Sequence, residues 1–283
     1  GCRLRGDRIG ESSMLQNKLF GVATSWPALD AFAYGIAGLL VVLLVLLFVG
    51  TRGKDTRIYD AKMAWVRAWM YFCVCWLLSW VTGVLPTLLS QPLLNPDHLG
   101  QTSWQVYVAL TWVAVLVGYL YVWPAGTVTY NRKFYPATTL LIGVVWGLSE
   151  AQLFLVFWAV GERFLDAPWM VAIFTYLCAS MANGPLHLFY WDLYVSPDHN
   201  IYEWNFRKVM FAHNPTLILS LIFLVVWGDL GVYLLWPAFA LLACAIAQRF
   251  PAPWDKLSHG ELEAKKGLCD VQTMSVPEAE RRG

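Results

Sequence analysis

Residues 137–160 read ATTLLIGVVWGLSEAQLFLVFWAV, twenty-four positions with one ionisable side chain, Glu150. A helix needs about 20 mostly apolar residues to cross the hydrocarbon core of a bilayer. This run meets that length, and it is too long and too uniformly apolar for a strand. It therefore predicts a membrane-spanning helix with one acid near its centre. The cost of an ionisable group there makes Glu150 a candidate functional residue.

The same pattern recurs along the chain. Apolar runs cover Ala33 to Gly50, Ala64 to Leu89, Trp104 to Pro124, Trp169 to Tyr194, Asn205 to Trp227 and Leu230 to Gln248. With residues 137–160 they predict an all-α polytopic transmembrane helical bundle of about seven spans. Gly228-Asp229 is the only turn between the last two runs, so six spans is the alternative count. Residues 1–32 read as an extramembrane or interfacial segment, 33–249 as the bundle, and 250–283 as a polar tail. The opening GCRLRGDRIGESS has no apolar core and does not read as a signal peptide.

Composition agrees. Of 283 residues, 58% are hydrophobic and only 14% charged, against roughly 25% charged in a soluble domain. Twenty Lys and Arg against nineteen Asp and Glu leave a net charge of +1. That balance gives no basic footprint for nucleic acid. Of six cysteines, four lie inside apolar runs, so no disulfide framework is expected. Aromatic residues make up 16% of the chain, and many fall at run ends, where Trp and Tyr anchor a helix at headgroup level.

Lys and Arg set orientation. Connection 51–63 holds Arg52, Lys54, Arg57 and Lys62, and the next basic loop holds Arg132 and Lys133. Arg207 and Lys208 follow the fifth run, whereas 90–103 has no Lys or Arg and 161–168 only Arg163. Seven spans with the basic loops and C-terminal tail in the cytoplasm satisfy this alternation. Arg3, Arg5, Arg8 and Lys18 in the N-terminal segment argue the other way. Arg67, one turn inside the second run, is expected to snorkel, and Asp229 to be solvated at the outer turn.

Chemistry concentrates in residues 180–215, SMANGPLHLFYWDLYVSPDHNIYEWNFRKVMFAHNP. Asn183 and His187 are four apart and share a helical face. Pro185 between them frees a backbone carbonyl one turn earlier. At 1.5 Å per residue, His187 and His213 both fall about 12 Å from the basic face, Asn183 about 18 Å and Glu150 about 19 Å. The fourth, fifth and sixth runs are thus expected to enclose one polar cavity. Imidazoles and carboxylates together suit a transition metal, iron or copper. On this reading His187, His199 and His213 are metal ligands, Glu150 and Asp192 catalytic carboxylates, and Asn183 a cofactor-binding amide. A haem held by His187 and His213 is a lesser alternative. The histidine spacings of 12 and 14 match no named metal motif, and there is no H-E-x-x-H, G-x-G-x-x-G or G-x-S-x-G.

The expected function is a membrane-embedded, metal-dependent oxidoreductase, a monooxygenase being one form, acting on a hydrophobic or lipid-soluble substrate. One alternative is a non-catalytic subunit of a larger membrane complex; in the structural alternative for the 192–208 loop, Arg207 and Lys208 form ion pairs with Asp192, Asp198 or Glu203 and tie the loop. The other is a transporter or a quinone- or proton-handling protein. Expected partners are the lipid bilayer and either other membrane subunits or further copies of the chain.

Overall fold

The computed structural model describes residues 18–20, 61–92, 94–125, 133–185, 206–250 and 252–254. Their regular structure is entirely helical. Helix α1 is Ala61–Val81, α2 Val84–Ser90 and α3 the short Pro96–Leu99. Then come α4, Thr102–Val122, α5, Pro136–Phe164, and α6, Pro168–Pro185. The last two are α7, Phe206–Val226, and α8, Leu230–Gln248. The run Ala33 to Gly50 lies outside the described residues.

Four of these helices, α4, α5, α7 and α8, are long and apolar enough to cross a membrane; α1 and α2 together make a fifth if they form one bent span. The expected single run 64–89 is broken, because α2 leaves α1 at 75°. Gly83 adopts φ 80°, a left-handed conformation that ends a helix at little cost to glycine. The Leu78 carbonyl accepts both the Thr82 hydroxyl at 2.6 Å and the Thr82 N–H at 3.0 Å, so one side chain helps to satisfy the helix end. At 228–229 the chain does turn, with Gly228 at φ 66°, so α7 and α8 are separate helices. Helices α5 and α6 both begin on proline, whose missing N–H costs nothing in a first turn.

Helix α5 is the axis, and its closest neighbour is α8. Gly143 and Gly147 form a G-x-x-x-G pair, the small-residue spacing that lets membrane helices approach. A Cβ on Gly143 would sit 2.8 Å from Leu242 Cα, and one on Gly147 only 2.4 Å from Ala238 Cα and 2.7 Å from the Pro237 carbonyl oxygen. The contacts are backbone to backbone, so no side-chain rotation relieves them.

Two helices contain π-helical turns, Val117–Val122 in α4 and Val209–His213 in α7. Each lies just ahead of a proline, Pro124 and Pro215. An extra residue in the turn relieves the clash between a proline ring and the carbonyl four residues earlier. The two turns pack on each other, with Gly118 directly against Ala212: a Cβ there would meet Ala212 Cα at 2.9 Å.

One end of the bundle is tied by hydrogen bonds. Glu162 accepts from the backbone N–H of Leu19 at 2.8 Å, that of Phe20 at 3.1 Å and the Trp158 indole at 2.8 Å. Lys18 donates to the Glu162 carbonyl and pairs with Asp166. Phe20 is buried in the core, and Leu19 packs over Gly228. Residues 18–20 are therefore clamped at the end where Lys and Arg are sparse.

Several expectations change. Asp229 is buried, not solvated, because His98 and Trp104 both donate to it. Arg67 is enclosed at 2% exposure, not extended to water. Trp104, Trp123 and Trp236, among the aromatics expected to anchor run ends at headgroup level, are buried in the core.

Gly147→Val should lower the thermal midpoint in detergent and cost more than the ~1–3 kcal/mol usual for overpacking, since two backbones must part. Gly100→Ala, which opens into empty space, should change stability by less than ~0.5 kcal/mol. Glu162→Ala should cost about 1–3 kcal/mol by stranding three N–H donors, of which the Phe20 N–H and the Trp158 indole are fully buried. It should also expose the peptide bonds around residue 20 to limited proteolysis, whereas Lys18→Ala should have the smaller effect of an exposed contact.

Candidate functional site

Glu150 sits one turn beyond Gly147, so the close approach of α5 and α8 delivers it to the bundle interior. It is buried at 5% exposure. Its Oε1 accepts a hydrogen bond from Asn183 Nδ2 of α6 at 3.1 Å. The Trp146 indole, one turn earlier on α5, lies beside the same carboxylate. The sequence-derived depths of about 19 and 18 Å placed this pair at one level, and the two side chains do meet.

Three further helices close around the acid. Cys75 of α1, Tyr119 of α4 and Tyr233 of α8 lie within electrostatic range of it, and all three are buried. Cys75 is bonded in turn to Tyr71. Among the described residues, the buried Tyr233 hydroxyl has no hydrogen-bond partner. Its carbonyl also loses its helical donor, because the residue four places on is Pro237. Beside Glu150, the Ser149 hydroxyl accepts the Trp76 indole N–H at 2.9 Å and donates to the Val145 carbonyl at 2.6 Å. A buried carboxyl bonded to an amide, with phenols nearby, can hold a proton or orient a polar group of an otherwise apolar ligand.

The other candidates fall as follows. His213 is buried at the end of the π-helical turn of α7. No hydrogen bond among the described residues joins it to Glu150 or Asn183. His187, Asp192 and His199 lie outside the described residues. Among the described residues, no group of three or more His, Cys, Asp or Glu side chains is placed to hold a metal ion.

Two polar groupings were not anticipated from sequence. His98 Nδ1 donates to Asp229 Oδ2 at 2.8 Å, and the Trp104 indole donates to the same oxygen at 2.9 Å. This ties α3 and α4 to the α7–α8 turn, and Trp227 adds a bond to Gln101 at 3.3 Å. A histidine more than a hundred residues from its acid leaves no local motif. At the opposite end, Lys208 is buried with Nζ 5.0 Å from the Trp123 ring centre, a cation–π geometry, and not out at the headgroups. A basic pair at a run boundary gives no hint of which cation turns inward.

Asn183→Ala should destabilise the protein by about 1–3 kcal/mol, the cost of leaving a buried acceptor unpaired. Glu150→Gln with Asn183→Ala should be non-additive, with a coupling of about 0.5–3 kcal/mol in a double-mutant unfolding cycle.

The chain matches no protein-family model, no curated protein and no solved structure.

Proposed function

We propose that this chain is a multi-pass integral membrane protein of about seven spans that performs redox chemistry on a lipid-soluble substrate at an interior site. The hydrogen bond between Glu150 and Asn183 carries this reading. It joins α5 and α6 at a buried acid, and Asn183 stands four residues before His187 in the sequence. Glu150 would act as the acid–base group and Asn183 would orient it or the ligand. His187, His199 and His213 would hold iron or copper, with Asp192 as the second carboxylate. A metal with an open position supplies Lewis acidity and electron transfer. The bilayer delivers the substrate, and the basic loops and the C-terminal tail face the cytoplasm.

A second reading, a non-catalytic subunit of a membrane complex, is favoured by one face of α1. Val66, Trp69, Trp76 and Trp80 are all exposed there. Large aromatics on one helix face suit burial against a partner helix.

Elemental analysis and an absorption spectrum of the purified protein separate the two. The redox reading expects bound iron or copper at near-stoichiometric level, reduced at least tenfold in His187→Ala and His213→Ala. Absence of metal and chromophore from wild type and variants alike removes it and leaves the subunit reading.

A further inference from the structure

Asp229 and Tyr233 stand one turn apart at the start of α8, where the Tyr233 N–H donates to the Asp229 carbonyl at 3.1 Å. Residues four apart share a helix face, and both of these are buried. His98 and Trp104 hold the Asp229 carboxylate, whereas the Tyr233 hydroxyl bonds nothing among the described residues. The α5–α8 contact fixes their depths. Gly147 stands against Ala238 and Gly143 against Leu242, so the two helices run antiparallel in a defined register. Extended to Glu150, that register sets the acid level with Leu235. Tyr233 then lies about 3 Å, and Asp229 about 9 Å, nearer the end that holds Glu162. Tyr233 is between the two acids in depth and within electrostatic range of Glu150. A long side chain on a helix leans toward the helix N-terminus, here toward Asp229.

His98 brings this line to the surface. Its Nδ1 makes its one hydrogen bond among the described residues, to Asp229, and its side chain is 18% exposed. Nε2 is thus the ring nitrogen left to meet solvent. Asp97, exposed beside it on α3, is the other titratable group there. Facing Glu150 at the inner end are Asn183 of α6, Cys75 of α1 and Tyr119 of α4, besides Tyr233. In the opposite direction from Glu150, Gly147 and Gly143 bring α5 and α8 into backbone contact and leave no room between them for water.

We infer that His98, Asp229 and Tyr233 form a proton path from the end of the bundle where Lys and Arg are sparse to Glu150. The inference rests on the acid–base role proposed for Glu150 and not on a metal. A proton taken up at His98 Nε2 releases the Nδ1 proton to Asp229. Asp229 passes it through bridging water to the Tyr233 hydroxyl, which gives its own proton to the Glu150 carboxylate. One proton leaves solvent and one reaches Glu150. Asp229 and Tyr233 end as they began, and a turn of the imidazole ring resets His98.

Time-resolved infrared spectroscopy after a pH jump tests it, on the full chain in lipid nanodiscs. The carboxyl band of Glu150 is identified by its loss in Glu150→Gln. Tyr233→Phe should slow the appearance of that band by about tenfold or more, with its final amplitude unchanged. Its thermal midpoint should also hold, because the hydroxyl removed bonds nothing among the described residues. Asp229→Asn, which can still accept from Trp104, and His98→Asn should slow the band as well. Should Asp229→Asn misfold, the Tyr233→Phe rate decides. A Glu150 band that does not respond to pH, or one that rises as fast in Tyr233→Phe as in wild type, overturns the inference. Absence of iron and copper removes the redox reading alone and leaves this comparison of rates intact.

Discussion

The approach of α5 to α8 sets the geometry of the rest. Without side chains at Gly143 and Gly147, the two backbones touch, and no lipid or side chain fits between them. In a bilayer the hydrophobic effect gives helices little reason to associate, so close packing must supply the attraction. That contact orients α5 about its own axis. Once it is set, Trp146 and Glu150 face inward, and Ser149 meets Trp76 of α1. The 29-residue length of α5 then carries Glu162 to the far end, where it collects three donors.

The bundle shows a division of polar labour by depth. At one end, Glu162 and Asp229 act as acceptors for groups distant in sequence and hold loops to helix ends. In the middle, one acid has one amide as its hydrogen-bonded neighbour and aromatic hydroxyls around it. At the other end, Lys208 rests on Trp123, and Arg67 is enclosed by protein. Glu162, Asp229, Glu150 and Lys208 are thus each matched to a partner of a kind suited to their surroundings, which is the condition for tolerating an ionisable group in a low-dielectric interior.

Much of the helical frame was legible in the sequence, because membrane helices announce themselves by length and hydropathy. The limits of α5, α7 and α8 lie within a few residues of the apolar runs. The meeting of Glu150 and Asn183 was legible for a related reason: rise per residue converts run boundaries into depth. What depth cannot reveal is azimuth. Nothing in the hydropathy of 202–210 says that Lys208 turns inward, and nothing near Asp229 says that His98 will reach it. The break at Gly83 had a local signal in T-G-V-L-P, and the α5–α8 contact had one in G-V-V-W-G. Both were submerged in long apolar runs whose average hydropathy conceals single glycines. The π-helical turns had only the weaker signal of a following proline.

Those π-helical turns have a consequence for how the chain's faces are numbered. An extra residue inside a turn advances the helix by about 100° relative to unbroken α-helix. A helical wheel drawn straight through 102–122, or through 206–226, therefore misassigns the lipid and protein sides on one flank of the insertion. Tyr119, buried beside exposed Leu120, and Ala212, buried beside exposed Phe211, lie within these shifted stretches. In either helix, deleting one residue from the π-helical turn would restore ideal geometry locally. It would also rotate the faces of half the span by about 100°. The irregularity is what keeps the two halves of each helix in phase with a single protein interior.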